Sequence, residues 1–356
     1  MLRKYDPRRL PARLGARLRR LLGKSRQVVS APPAPAARQR EARIHVVILD
    51  GTLSSLETGM ETNAGRLYRL LCEVAPDHRV SLRYESGIQW RSWRNSLDVI
   101  AGRGINRQIR RVYGFIASRY RPGDRIYLFG YSRGAYAVRS LAGLIDRVGL
   151  LKAEHATERN IRLAYRYYER REESPIQAVF ARRFCHSDTE IAVVGVWDTV
   201  KALGLRLPFA WRWTEKAHLF HNHALGSHIR HGFHALARDE TRSAFAPVIW
   251  QSKPGFEGVV EQVWFRGTHG DIGGQLSGFE AARPLANIPF VWMLERGESC
   301  GLPLPQGWRD RYPRDVGAPS VGSMRGWAKI FLARRRRKPG QDPSERLHRS
   351  IAAEHE

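Results

Sequence analysis

The sequence is poor in cysteine, since only Cys72, Cys185 and Cys300 occur among 356 residues and no C-x-x-C pair is present. Three widely spaced cysteines argue against a disulfide framework and against a zinc ribbon. A run of 18 apolar residues is also missing, which argues against a membrane-spanning helix. The basic N-terminus has neither the continuous apolar core nor the cleavage site of a signal peptide. We therefore expect a cytoplasmic protein, or one exported by a system that needs no cleaved signal.

Acidic residues are scarce beside basic ones, with 34 Asp and Glu against 60 Lys and Arg and a net charge of +26. Part of the excess lies at the two ends: thirteen Lys and Arg occur within residues 1–44, and a second run extends over Arg334–Lys338. Leucines from Leu10 to Leu22 recur at helical spacing with arginines between them, which predicts a basic amphipathic helix. Such segments bind anionic membrane surfaces, although a solvated tail or a helix packed on the main domain has the same pattern.

Phosphate groups in nucleic acids attract the same basic residues. However, no zinc finger, RNA-recognition motif or similar module is recognisable in the sequence. We therefore expect contacts through residues 1–30 and Arg334–Lys338 to be with an anionic membrane, and nucleic acid is the less favoured partner. No secretion or immunity partner can be identified from the sequence.

The order of apolar segments predicts an α/β fold. Short apolar runs predict strands at 44–49, 80–84, 125–130, 191–197 and 262–265, and periodicity predicts helices at 63–72, 105–119, 135–148 and 285–296. Continuous rather than alternating apolar strands are typical of a doubly wound, mostly parallel sheet with helices on both faces. We expect a basic arm with an Ala/Pro-rich linker at 1–42, an α/β domain at 43–322 and a basic tail at 323–356.

The segment Gly130-Tyr131-Ser132-Arg133-Gly134 lies between a predicted strand and a predicted helix. A G-x-S-x-G motif in this context is typical of a nucleophile elbow, a sharp turn that lifts the serine hydroxyl above the sheet. Gly130 and Gly134 allow close passage of the chain, and the backbone N–H of Arg133 would contribute to an oxyanion hole. An ordinary strand–helix turn with a capping serine is the alternative.

A serine nucleophile needs a base and an acid, which follow it in chain order in α/β-hydrolases. Asp198 ends an apolar strand, and His269 lies in a glycine-rich loop after a later strand. We therefore predict Ser132, Asp198 and His269 as nucleophile, acid and base. Asp271 is the alternative acid, although it lies close to His269 in sequence and could instead orient the loop.

A second oxyanion donor is expected from the loop after the first strand. Gly51 and Thr52 are the candidates, and Asp50 is expected to support the catalytic loop or to fix its structure. The sequence predicts no cofactor and no metal. Six histidines between His218 and His234 lack a metalloprotease spacing, so packing or surface positions are favoured over zinc binding.

Five segments resemble, in order, the catalytic domain of type VI secretion phospholipase effectors. They are VILDGT, YLFGYSRGAYAVRSLAGLI, GVWDTVKALG, HALARDETRSAFAPVIW and VWFRGTHGDIGG, spread between about residue 44 and about residue 302. The resemblance implies an α/β-hydrolase fold, a triad of Ser132, Asp198 and His269, a phospholipid acyl ester as substrate and no metal. The alternative is a catalytically silent membrane- or nucleic-acid-binding protein on a hydrolase scaffold.

Overall fold

Seven parallel strands form the centre of the molecule. The computed structural model describes residues 40–76, 79–87, 103–170, 174–200, 224–323 and 333–352. The chain divides into two compact units, residues 1–41 and residues 42–356, and nearly all described residues belong to the second. The strands are β1 (Ile44–Leu49), β2 (Val80–Glu85), β3 (Arg125–Tyr131), β4 (Ile191–Trp197), β5 (Ile229–Ala237), β6 (Val259–Phe265) and β7 (Glu345–Leu347).

The strands are arranged in the order β2-β1-β3-β4-β5-β6-β7, and every neighbouring pair is parallel. The direction of winding reverses between β1 and β3, so their carboxyl ends flank a topological switch point. Ligand sites of open α/β sheets form at such points. β3 and β4 are buried along almost their whole length, which explains their continuous apolar sequences.

Helices cover both faces of the sheet. They are α1 (Asn63–Val74), α2 (Arg103–Ala117), α3 (Arg133–Val148), α4 (Glu158–Glu169), α5 (Pro175–Phe184), α6 (His269–Gly273), α7 (Arg283–Ser299) and α8 (Arg349–Ala352). One apolar core joins the sheet to α2, α3, α4 and α5, and a second joins it to α1 and α7. The predicted doubly wound α/β class is therefore confirmed. Among the described residues, no helix is long and apolar enough to cross a membrane.

All five predicted strands and all four predicted helices form, with boundaries that shift by a few residues. Strands β5 and β7 and helices α4, α5, α6 and α8 were not predicted, and α6 lies where a glycine-rich loop was expected. The amphipathic helix at 10–22, the Ala/Pro-rich linker and the histidines at 218, 221 and 223 lie outside the described residues.

The C-terminal region differs from the tail expected at 323–356. Strand β7 pairs with β6 at the sheet edge, and Ser252 donates hydrogen bonds to Asp342 from its backbone N–H and its hydroxyl. Residues 333–352 therefore belong to the same compact unit as the sheet. The high charge of this segment hid the short strand, because its apolar contribution to the core is small.

Candidate active site

Ser132 lies at the sharp turn between β3 and α3. Its φ of 56° and ψ of −116° are unusual for a residue with a side chain. The flanking glycines are required by sterics, because a Cβ on Gly134 would lie 2.0 Å from the Leu49 carbonyl oxygen and one on Gly130 would lie 2.6 Å from the Gly134 carbonyl oxygen. The sequence Gly130–Gly134 thus folds as the strained elbow that the motif predicts.

His269 reaches Ser132 from the loop after β6. Its Nε2 lies 2.9 Å from Ser132 Oγ, and its side chain is 5% exposed. The imidazole ring packs between the rings of Tyr131 and Phe245, each with its centroid 4.9 Å away. The backbone N–H of His269 donates to Glu240, 3.2 Å away. Packing and backbone contacts therefore hold the ring beside the serine hydroxyl.

Asp198 lies behind His269, directly after β4. Its Oδ2 is 2.5 Å from His269 Nδ1, and its Oδ1 accepts a hydrogen bond of 3.0 Å from the backbone N–H of Ala237. Asp198 is fully buried and has a φ of 41°. The three side chains that were predicted together thus form one continuous chain of hydrogen-bond contacts at the carboxyl edge of the sheet.

Arg337 is a further partner of Asp198 that the sequence did not reveal. Its Nη1 lies 2.6 Å from Asp198 Oδ1 and its Nη2 lies 2.9 Å from Asp198 Oδ2. Burial alone would raise the pKa of Asp198, but Arg337 and then His269 outweigh burial and hold it well below its ordinary value. Asp198 is therefore ionised across the range in which a histidine base works.

Asp271, the alternative acid, does not contact the His269 ring. Its Oδ2 accepts hydrogen bonds from the Thr268 N–H at 2.7 Å and from the Ser320 hydroxyl at 2.5 Å. Its Oδ1 accepts from the Val321 N–H at 2.8 Å. Asp271 thus fixes the first turn of α6 through these hydrogen bonds.

The loop after β1 packs against the elbow, where a Cβ on Gly51 would lie 3.4 Å from Ser132 Cβ. The Gly51 N–H donates to Asp50 Oδ1 at 2.6 Å, so it is already used and does not serve as the expected oxyanion donor. The Thr52 hydroxyl is buried and has no hydrogen-bond partner within the described ranges. Of the two predicted donors, Thr52 is the one left available.

Asp50 fixes this loop from within the protein. Its Oδ2 accepts hydrogen bonds from the Thr62 hydroxyl at 2.6 Å and from the Tyr84 hydroxyl at 2.7 Å. Burial raises the pKa of Asp50 to about 6, although these hydrogen bonds and that from Gly51 lower it. Asp50 therefore joins β1, α1 and β2 around the loop that contains Gly51 and Thr52.

Arg133 begins α3, where backbone N–H groups have no partner within the helix. Its side chain is half-buried, and in the part of the chain that the structure describes it makes no hydrogen bond and no ion pair. Burial lowers the pKa of the guanidinium to about 10. A half-buried cation with no counter-ion among the described residues, next to Ser132 in sequence, is well suited to meet an anionic group of a ligand.

The described histidines of the cluster have ordinary structural roles. His234 Nε2 accepts a hydrogen bond from the Thr199 N–H, 3.1 Å away, and burial lowers the pKa of His234 to about 3. His228 contacts Asp146, with 3.0 Å between Nδ1 and Oδ1. Across the described ranges, no group of three or more His, Cys, Asp or Glu side chains is placed to hold a metal ion.

Sequence reasoning missed Glu240 and Phe245 beside His269, as well as Arg337. Glu240 is fully buried, pairs with Arg242 and accepts the His269 N–H. The only sequence signal for Glu240 and Phe245 is that both lie in HALARDETRSAFAPVIW, one of the five segments that resemble the family. Nothing in the sequence distinguishes Arg337 from the other basic residues of Arg334–Lys338.

The chain matches the family described as "T6SS, Phospholipase effector Tle1-like, catalytic domain" over residues 43–296, more than half of its length. A curated protein of Saccharomyces cerevisiae (strain ATCC 204508 / S288c), described as uncharacterized protein YEL023C, is 26% identical over 247 residues. That match covers 62% of this chain and 34% of the yeast protein. The chain thus spans about a third of the length of this curated relative.

Two solved structures are similar to this chain over part of their lengths. The Tle1 effector bound to the VgrG spike from the Type 6 secretion system has a TM-score of 0.39 and 17% identity, covering 69% of this chain and 56% of that one. An uncharacterized protein from Pseudomonas aeruginosa has a TM-score of 0.48 and 13% identity, covering 89% of this chain and 55% of that one.

The family match extends from the strand before Asp50 through most of α7, and it includes Ser132, Asp198 and His269. The residues after 296, Arg337 among them, lie outside it. The chain therefore belongs to the Tle1-like phospholipase effector family of the type VI secretion system, which it matches through the catalytic domain.

Proposed function

We propose that this chain is a serine hydrolase that cleaves carboxylic esters by acyl transfer. The observation that carries the proposal is the continuous contact from Ser132 Oγ to His269 Nε2 at 2.9 Å and from His269 Nδ1 to Asp198 Oδ2 at 2.5 Å. A base within hydrogen-bond reach of the hydroxyl, itself oriented by a carboxylate, is the arrangement that activates serine.

In this mechanism His269 Nε2 takes the hydroxyl proton as Ser132 Oγ attacks the ester carbonyl carbon. The carbonyl oxygen becomes an oxyanion, which the Arg133 N–H and the Thr52 N–H or hydroxyl stabilise. His269 then gives its proton to the leaving alcohol, and the acyl group remains on Ser132. His269 then deprotonates a water molecule, which attacks the acyl carbon. The bond from Ser132 Oγ to the acyl carbon breaks, Oγ takes the proton back from His269, and the carboxylic acid leaves.

We further propose a phospholipid acyl ester as the substrate. Family membership favours this class, and Arg133 supports it independently, because its guanidinium lies next to the nucleophile in sequence without a counter-ion among the described residues. Guanidinium groups bind phosphate through paired hydrogen bonds. A phosphate held by Arg133 would place an acyl ester of the same lipid near Ser132.

Hydrolysis of p-nitrophenyl butyrate and of phosphatidylglycerol vesicles tests the mechanism when wild type is compared with Ser132→Ala and His269→Ala. We expect each variant to lose about 10⁴- to 10⁶-fold in kcat, since the residues act as a unit. A fluorophosphonate probe should label the wild type and leave Ser132→Ala unlabelled. Wild type that neither hydrolyses an ester nor reacts with the probe would favour a catalytically silent binding protein.

The substrate class is tested separately with Arg133→Gln, which keeps the backbone donor. Phosphatidylglycerol hydrolysis should fall about tenfold more than p-nitrophenyl butyrate hydrolysis, because only the lipid carries a phosphate. Arg121→Gln, at an exposed position in the turn before β3 and outside both basic runs, is the matched control. An equal loss on both substrates would assign Arg133 a role other than phosphate binding.

A further inference from the structure

The carboxylate of Asp198 is held by more donors than a histidine partner requires. Oδ1 faces the Ala237 N–H and Arg337 Nη1, and Oδ2 faces His269 Nδ1 and Arg337 Nη2. A carboxylate has about four lone-pair sites, and all four are used here. Arg337 donates to two of these sites as a bidentate pair, which fixes the plane of the carboxylate as well as its position.

Arg337 is itself firmly held, since its side chain is only 4% exposed. Nη1 also donates to the Ala237 carbonyl at 2.8 Å, and Nη2 donates to the Phe245 carbonyl at 2.5 Å. Phe245 is the residue whose ring packs against His269. The guanidinium therefore ties together the acid, the end of β5 and one wall of the histidine site.

The position of Arg337 in the chain makes this contact unusual. It lies 139 residues after Asp198, in the segment that leads to β7, and within the run Arg334–Lys338 that was expected to face a membrane. The other four members of the run are exposed, and Arg337 alone turns inward. A surface role for the run therefore does not explain this residue.

We infer that Arg337 is a positioning residue of the proposed acyl transfer, which orients Asp198 toward His269 and partly neutralises it. The inference rests on the proposed function. The guanidinium keeps Oδ2 directed at His269 Nδ1, so the base presents Nε2 to Ser132. Its positive charge also opposes the field of the Asp198 carboxylate at the His269 ring.

Several charged groups lie near His269 on neighbouring elements, and together with Arg337 they determine the electrostatic field at its ring. Glu240, which follows β5, accepts the His269 N–H and is paired with Arg242. Asp271 lies on the same short helix as His269, and His234 on β5 lies near Asp198. None of these partners changes when Arg337 is substituted, so a shift in the pH profile reports the guanidinium.

Two variants separate the charge of Arg337 from its geometry. Arg337→Gln removes the charge, and we expect kcat/KM for p-nitrophenyl butyrate to fall about 10- to 100-fold, since small misplacements of catalytic groups cost this much. The acidic limb of the kcat/KM profile should also move to higher pH, because the Asp198 carboxylate then acts on the His269 ring without the opposing guanidinium charge. Arg337→Lys keeps the charge, so its limb should stay in place while its rate falls about tenfold.

Arg336→Gln is the matched control, because this neighbour is exposed and its substitution should leave both rate and profile unchanged. Rates are expressed per folded enzyme, with folding measured by circular dichroism. If Arg337→Gln keeps the wild-type rate and the wild-type pH profile, the inference is overturned while the proposed function stands. A lower Tm without a change in rate or pH profile would have the same meaning. Failure of the wild type to hydrolyse esters or to react with a fluorophosphonate would instead overturn the proposed function and this inference with it.

Discussion

Ser132 and Asp198 are both non-glycine residues at positive φ, 56° and 41° respectively. Such conformations cost about 1–3 kcal/mol each and persist only where surrounding structure enforces them. At Ser132 the enforcing contacts are visible: its N–H donates to the Trp197 carbonyl at 3.0 Å, and α3 begins at the next residue. The strain is therefore the cost of presenting the hydroxyl to His269.

Replacing Ser132 by glycine should relieve this strain while abolishing hydrolysis. Glycine adopts positive φ freely but loses about 0.5–1 kcal/mol of backbone entropy, so we expect a net gain of about 1 kcal/mol over Ser132→Ala. Ser132→Ala is the right reference, because both variants lack the hydroxyl. Urea unfolding of the two variants measures the difference, and equal stabilities would show that the turn is not strained.

Asp50 should make stability depend on pH. Its folded pKa of about 6 exceeds the unfolded value, so it contributes stability that is fully present below about pH 4 and is lost as pH rises through 6. Asp50→Asn removes this titration. The unfolding free energy of the wild type relative to Asp50→Asn should therefore fall by up to roughly 3 kcal/mol between pH 4 and pH 8.

Urea unfolding of both proteins at several pH values gives this difference directly. The comparison cancels the other titrating groups, since they are common to the two proteins. If the difference in unfolding free energy between wild type and Asp50→Asn stays constant from pH 4 to pH 8, the pKa of Asp50 is not raised by folding.

Contact between β1 and α3 depends on the absence of a side chain at Gly134. A Cβ there would overlap three backbone atoms of Leu49 and Asp50 at 2.0–2.6 Å, and backbone cannot move aside as a side chain can. We expect Gly134→Ala to destabilise the protein by about 3 kcal/mol or more and to abolish activity. Chemical denaturation and ester hydrolysis measure the two effects.

Gly65→Ala in α1 is the matched helical control. The nearest atom to its added Cβ is Leu56 Cδ2 at 3.2 Å, in a side chain that is not fully buried. Alanine also favours helix over glycine, so the net change should stay within about 1 kcal/mol. Equal losses at the two positions would contradict the claim that backbone overlap at the elbow is decisive.

Strands with continuous apolar sequences were predictable, and strands without them were not. β4 reads I-A-V-V-G-V-W and is buried throughout, so its sequence alone indicates its place in the sheet. β5 reads I-R-H-G-F-H-A-L-A, and its histidines interrupt the apolar run. In the structure His231 bonds to the Ala192 carbonyl, and His234 accepts from the Thr199 N–H. Tertiary hydrogen bonds made these polar residues compatible with a central strand, and a single sequence does not show such bonds.

The site was predictable where local chemistry dictates residue type. The elbow needs glycines around a serine, and the base and acid follow strands whose carboxyl ends share one edge. Two features of the site follow no such rule. The hydrogen bond from the Gly51 N–H to Asp50 depends on the direction of the Asp50 side chain, and the contact of Arg337 with Asp198 joins distant segments. No spacing rule covers them, and so they emerged only from the structure.

The whole molecule carries a net charge of +26, distributed unevenly between its parts. Residues 1–42 hold twelve Lys and Arg against Asp6 and Glu41, whereas Arg337 within the other basic run is committed to Asp198. Attraction to anionic lipid should therefore depend more on the N-terminal residues than on Arg334–Lys338. Each basic residue near an anionic surface contributes about 1 kcal/mol, so the twelve N-terminal residues would be the larger source of such an attraction.

Removal of residues 1–42 should separate membrane attachment from chemistry. We expect binding to phosphatidylglycerol vesicles to weaken at least tenfold at 0.1 M salt, because most of the local positive charge is lost. Hydrolysis of soluble p-nitrophenyl butyrate should stay at the full-length rate, since Ser132, Asp198, His269 and Arg337 all remain. Vesicle co-sedimentation and ester assays on both proteins measure the two effects, with phosphatidylcholine vesicles and 0.5 M salt as controls for charge. Unchanged vesicle binding after truncation would show that the membrane contact lies in residues 43–356. If the full-length protein binds duplex DNA and the truncated protein does not, the N-terminal residues bind nucleic acid instead.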